Sequence, residues 1–233
     1  MPFVPVLHAE WIKIRTLRSL LGALTAVLLV TVAFSSVTAA RSDHSDPLYA
    51  VFFGVSLGQV AAVSFGALAV SGEYRGGALR LTLAAVPDRT RWFAAKAVAV
   101  ALPVLAVGLL TGLVTLAVGS VAVGLTWAEG LRGVVGCALY LTLMALLAAG
   151  LAAVLRSGVG TLGLLIPFLL IVSFVVGDLD SGAADLLPDR AGQLALHSTS
   201  EGPLGPWTGL AVTALWAAAA LGAGAWSVRR RDA

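Results

Sequence analysis

The sequence predicts an all-α membrane protein with six transmembrane helices. Three observations predict it. Of 233 residues, 59% are hydrophobic and 12% charged, against about 45–50% and about 25% in soluble domains. Apolar runs exceed the roughly 20 residues that cross a hydrocarbon core about 30 Å thick. With both termini in the cytoplasm, 12 of the 15 basic residues fall on the inner side and only Arg41, Arg132 and Arg190 outside, which is the bias that sets topology.

The elements follow in chain order. Residues 1–18 read as an interfacial helix. In "LHAEWIKIRTLRS", Leu7, Trp11, Ile14 and Leu17 fall on one helical face, with Lys13, Arg15 and Thr16 mostly elsewhere. Glu10 and Arg18 intrude on the stripe. Such a segment lies in the membrane surface, and Glu10, Trp11, Lys13, Arg15 and Arg18 are its candidate interfacial residues. The plainer alternative is a basic flank that only sets topology. The first span, about 19–40, is too long for a signal-peptide core and has 18 residues ahead of it, so it is expected to stay uncleaved.

The second span covers about 48–70. After it comes "SGEYRGGALRLTLAAVPDRTRWFAAK", residues 71–96, with seven charges in 26 residues. Sinking these into lipid would cost on the order of 20 kcal/mol, at about 2.5–3.5 each. The segment therefore lies outside the hydrocarbon, on the cytoplasmic side. Within it "ALRLTLAAV" suits a short amphipathic helix. Gly76 and Gly77 permit a sharp turn into it, and Pro87 stops it.

The third span, about 97–125, is over-long and carries Pro103, which suits a tilted or bent helix. The fourth covers about 133–155. The fifth, about 158–176, contains Pro167, tolerated where neighbouring helices satisfy the freed carbonyl. An extracellular segment, 177–206, precedes the sixth span at about 207–228. Trp11, Trp92, Trp127, Trp207 and Trp226 all fall near predicted interfaces, where an amphipathic ring is at home. Trp216 falls mid-span, where it packs between helices or lines a translocation path.

The chain carries little chemistry of its own. It has no G-x-x-x-x-G-K-[ST] loop to cradle phosphates, so no ATP hydrolysis is expected of it alone. No span has an ionisable side chain near its centre, which weighs against proton- or ion-coupled transport. A sodium site of backbone carbonyls stays open. "GVSLG", Gly54 to Gly58, matches G-x-S-x-G, but a nucleophile elbow needs a strand-to-helix turn and a histidine base. His8, His44 and His197 all lie outside the spans, so these small residues read as helix contacts. The outer acids Asp178, Asp180, Asp185, Asp189 and Glu201 match no metal-ligand spacing. Lone Cys137 excludes an internal disulfide and reads as packing.

Residues 71–96 resemble the first cytoplasmic loop of type-2 ABC transporter permeases. That loop commonly has G-E-Y/x-R, here Gly72 to Arg75. It then has T-L-x-x-x-P-x-R, here Thr82 to Arg89, and a closing A-K, here Ala95 and Lys96. Gly77-Ala78 departs from the family's frequent Gly-Thr. "EWIKIRTLRS" looks like the family's N-terminal interfacial segment, and "LLPDRAGQLAL" like its extracellular segment before the last span.

The resemblance implies a function. The short helix between spans two and three would be a coupling helix that docks into a separate ABC ATPase subunit. ATP and magnesium would bind that partner, leaving no cofactor, metal or catalytic residue on this chain. Glu73, Tyr74, Arg75, Arg80, Asp88 and Arg89 would contact the ATPase or fix the coupling helix. Six spans are half the usual pore, implying a second permease chain in a homo- or heterodimer, in a bacterial cytoplasmic membrane. No nucleic-acid partner is expected. The competing expectations are a non-catalytic scaffold or sensor subunit, and a membrane-embedded hydrolase using Ser56 or the outer acids.

Overall fold

The computed structural model describes residues 3–40, 46–119, 123–172, 175, 184–199 and 204–230. Among these the chain is helical, without a strand. Helix α1 spans Phe3–Thr16 and α2 spans Arg18–Ala39, parted by the extended backbone of Leu17. Helices α3, Pro47–Phe52, and α4, Val55–Ser71, are followed by a tight turn at Gly72–Tyr74. Helix α5 is Ala78–Ala85, α6 is Arg89–Gly119 and α7 is Trp127–Leu155. Helix α8 is Gly158–Pro167, continued by a wide π turn over Phe168–Val172. Helix α9 is Pro188–Gln193, between tight turns at Ala184–Leu186 and Leu194–Leu196. Helix α10 is Pro206–Arg230.

Five helical segments are long and apolar enough to cross a membrane: α2, α4 with its following turn, α6, α7 and α10. The chain is a multi-pass membrane protein. The described apolar part of the predicted fifth span, Gly158–Ile171, is shorter and at 1.5 Å per residue reaches about 21 Å. Of that span's final residues, only Val175 is among the described ones beyond Val172.

Three boundaries differ from the sequence reading, each for a local reason. The predicted span 48–70 is two helices. At the break, α4 crosses α2 so closely that a β-carbon on Gly54 would stand 2.0 Å from the Thr31 carbonyl oxygen, and the Gly54 N–H donates to Ser35 Oγ at 3.0 Å. Helix α6 begins at Arg89, beside Thr90 where the sequence re-enters helix ahead of the span at 97, because Asp88 caps it: its Oδ1 accepts the Arg91 N–H at 3.0 Å and the Thr90 hydroxyl at 2.7 Å. Those two donors hold the Asp88 carboxyl below its ordinary pKa. It ends at Gly119, short of 125. Helix α7 begins at Trp127 rather than 133, because Thr126 and Glu129 form a reciprocal capping box that satisfies orphan N–H groups.

Helix α7 is the centre of the bundle, packed by α4, α6 and α10. Small residues let backbones meet there. A β-carbon on Gly66 would lie 2.0 Å from the Ala145 carbonyl oxygen, and one on Gly150 would lie 2.4 Å from the Ala220 backbone. Cys137 is buried in α7. Trp11, Trp127, Trp207 and Trp226 are exposed, as interfacial rings should be. Trp92 is not: it is fully buried, on the helix against which α1 packs. Trp216 is 46% exposed on α10, its indole N–H donating to the Leu186 carbonyl at 3.0 Å. Its ring borders an apolar cleft with Leu151, Leu165 and Phe168.

At the end of the bundle where α7 begins, α9 and its flanking turns fold back between α7 and α10. Asp46 gathers this end. It caps α3 through the Tyr49 N–H at 3.0 Å, accepts the Ser198 N–H at 3.0 Å, and lies 2.9 Å from His197 Nδ1. Arg132 donates to the His197 carbonyl at 2.7 Å. Burial pushes the Asp46 carboxyl up, but the Tyr49 and Ser198 N–H groups outweigh it and hold the pKa below 3.8.

Candidate functional site

The opposite end carries the segment singled out by its charge. Gly76 and Gly77 adopt left-handed backbone, with φ of +61° and +76°, a conformation that costs glycine little. They turn the chain sharply into α5, and Val86 and Pro87 end it. The predicted short helix between two spanning helices is present. Leu79 is its buried residue, while Leu81 on the outer side is 76% exposed.

Beneath α5 lies a compact set of charges. Glu10 and Lys13 come from α1, Glu73 from the turn after α4, and Lys96 from α6. Lys13 Nζ is 3.0 Å from Glu10 Oε1 and 2.8 Å from Glu73 Oε1. Lys96 Nζ is 2.7 Å from Glu73 Oε1 and also pairs with Glu10 Oε2. The four charges therefore alternate around a closed cycle, Glu10–Lys13–Glu73–Lys96, with formal charge zero. The Thr82 hydroxyl of α5 donates to Glu73 Oε2 at 3.3 Å. That hydroxyl also stands 3.1 Å from the Ala78 carbonyl, so Glu73 Oε2 shares its donor, while the other three carboxylate oxygens each face a lysine.

Glu10, Glu73 and Lys96 are buried, and Lys13 is half-buried. An isolated charge in such a place costs several kcal/mol, so it persists only when paired and hydrogen-bonded. Lysine suits the task, since one compact ammonium with three donors bridges two carboxylates. Lys96 also stands 5.8 Å from the centre of the Trp92 ring. Burial works to lower the Lys13 pKa, but its hydrogen bond to Glu73 and the charges of Glu10 and Glu73 prevail and raise it above 10.5. Beside the cycle is a cleft of about 470 Å³, lined by Leu17, Leu20, Arg75 and Leu81 among others.

The remaining site residues divide by exposure. Tyr74 is half-buried, its hydroxyl donating to the Ala153 carbonyl at 3.4 Å and its ring 5.5 Å from the Arg156 guanidinium. Arg89 Nη1 donates to the Val228 carbonyl at 3.0 Å, tying the start of α6 to the end of α10. Arg75, Arg80 and Asp88 are exposed, and Asp88 lies 3.4 Å from Arg91. Arg15 and Trp11 on α1 are exposed, as is Arg18 at the start of α2. The face that α1 buries within the bundle is Val6, Glu10 and Ile14; of the predicted stripe, Ile14 is shared with that face, Leu7 is half-buried and Trp11 is exposed. Leu17 is exposed, and Glu10 lies on the packed face because Lys96 meets it there.

Sequence reasoning missed Lys96 as a site residue and read Glu10 as an intruder. One signal was visible. Lys13 and Lys96 are the chain's two lysines among 15 basic residues, and both stand in the cycle.

The outer acids gather no metal site among the described residues; Asp178, Asp180 and Glu201 lie outside them. Ser56 Oγ donates to Gln193 Oε1 at 2.9 Å, so its proton faces an amide oxygen rather than a base. Gln193 Nε2 in turn donates to the Tyr140 hydroxyl at 3.2 Å, and that hydroxyl donates to Gln59 Oε1. This is a neutral network joining α4, α7 and α9. No protein-family model matches the chain, and no curated protein matches it.

Proposed function

We propose that the chain is the membrane-spanning permease subunit of an ATP-driven ABC exporter. One observation carries the reading: a short helix sits between two membrane-crossing segments, outer face exposed, inner side joined to a buried charge cycle. Such a helix is a contact surface for a soluble motor and a lever on the spans at once. In this reading Arg75, Arg80 and Leu81 meet the ATPase, while Glu73, Tyr74 and Arg89 hold the lever in place. The motor supplies ATP, magnesium and hydrolysis. This chain supplies half of a pore completed by a second permease chain, in a bacterial cytoplasmic membrane with both termini inside.

The test is affinity purification of the chain from its native host in mild detergent, followed by mass spectrometry. A co-purifying phosphate-loop ATPase, lost when exposed Arg75, Arg80 and Leu81 are replaced together by Ala, is the expected result. A stable oligomer without any ATPase would remove the motor and with it the transport reading.

A further inference from the structure

We infer that Glu10, Lys13, Glu73 and Lys96 form a single latch, stable only while its positive and negative charges balance, which fixes α1 and α5 to the start of α6. The geometry differs from two separate ion pairs. Each lysine bridges both carboxylates, and each carboxylate receives both lysines. No corner belongs to one partner. Removing one corner leaves an odd charge among buried groups, whereas removing two opposite charges leaves a balanced pair.

The latch has a mechanical consequence. Helix α5 is anchored by Leu79, with Leu83 and Val86 packed against the core, and the Thr82–Glu73 contact joins it to the cycle. A displacement of α5 pulls on Glu73. Glu73 shares Lys96 with Glu10, so the pull reaches α6 and α1 together. Lys96 is thus a positioning residue for α1 and α5 alike. This inference rests on the proposed function only for what displaces α5; the latch itself is a property of this chain alone.

Hydrogen–deuterium exchange of the full chain in lipid nanodiscs tests it without any partner. The variants are Glu73→Gln, Lys96→Met and the two combined. A latch predicts that each single change speeds exchange of α1 amides by at least about tenfold. The double variant, which keeps Glu10 with Lys13 and strands no charge, is expected to exchange more slowly than either single. A double variant whose effect is the product of the two singles would mean independent pairs and overturn the inference. So would single variants that leave α1 unchanged. If a single variant fails to fold, a folded double variant supports the latch, and an unfolded one overturns it. An absent ATPase would leave these outcomes untouched, and their failure would leave docking on the outer face of α5 untouched.

Discussion

The two ends of the bundle hold their accessory helices by different physics. At one end, α1 and α5 are joined to α6 through four alternating charges. At the other end, α9 is held by contact. A β-carbon on Gly209 would stand 2.1 Å from the Ala191 carbonyl oxygen, one on Gly192 would stand 2.4 Å from the Tyr140 ring, and the Thr213 hydroxyl donates to the Pro188 carbonyl at 2.8 Å. Close packing forfeits its energy over a fraction of an ångström. Charges attract over longer distances and re-form after a shift. The first end therefore adds a charge cycle to the buried Val6, Ile14 and Leu79, whereas the second relies on close contact.

The largest expected effect sharpens this contrast. Lys96→Met strands Glu10 and Glu73 beside one remaining lysine. It should cost about 3–5 kcal/mol of stability, read by chemical denaturation in detergent micelles. A loss under about 1 kcal/mol would mean the cycle is solvated and the two ends are not so different. Next comes Gly209→Val, which forces α10 away from α9. Overpacking of this kind costs about 1–3 kcal/mol, and the exchange of α9 amides should rise while α1 is undisturbed.

A smaller effect is expected from Tyr140→Phe. It breaks the neutral network at its centre, and interhelical hydrogen bonds in membrane proteins contribute about 0.6 kcal/mol on average. A thermal midpoint unchanged within error would show the network to be incidental.

The ends should also differ in their response to alkali. The Lys13 pKa is raised above 10.5, so its contribution is complete below 10.5 and is lost as pH rises through the folded value. The Asp46 pKa is lowered below 3.8. Its contribution is complete above 3.8 and is lost as pH falls through the folded value. Burial pushes the Glu73 carboxyl up, but the Lys96 charge and the Lys13 hydrogen bond hold it below 4.5. Exchange mapping across pH should therefore show both ends loosening in acid and the α1 end alone loosening in alkali. The smallest effect is Leu81→Ala, an exposed change expected within about 0.5 kcal/mol of the parent; a larger loss would mean that α5 is packed more firmly than its exposure implies.

What the sequence made legible was whatever depends on near neighbours. Hydropathy found the membrane-crossing segments, because a span declares itself within about 20 residues. Gly76, Gly77 and Pro87 marked both ends of α5, because backbone preference is local. The break at Gly54 was not legible. It exists because Thr31 and Ser35 of another helix lie against it. Nor was the buried partner of Lys96, since Glu10 stands 86 positions away and helical periodicity registers only a few turns. Glu10 looked misplaced on an apolar stripe for the same reason: its counter-charge belongs to a distant helix.

The cycle also makes the chain unusual as a chemical reagent. Its two lysine side chains sit in one cluster, Lys96 almost wholly enclosed and Lys13 with 38% of its side chain open. Of the two lysines, an amine-acylating reagent would meet Lys13 first, reacting with the fraction that has released its proton and leaving a neutral amide. One acyl group would then discharge a corner that mutation has to remove by design, and Lys96 would become reactive only after the cluster had opened. The order in which the two amines are modified is thus a clock for the loosening of the N-terminal helix, readable by mass on unaltered protein.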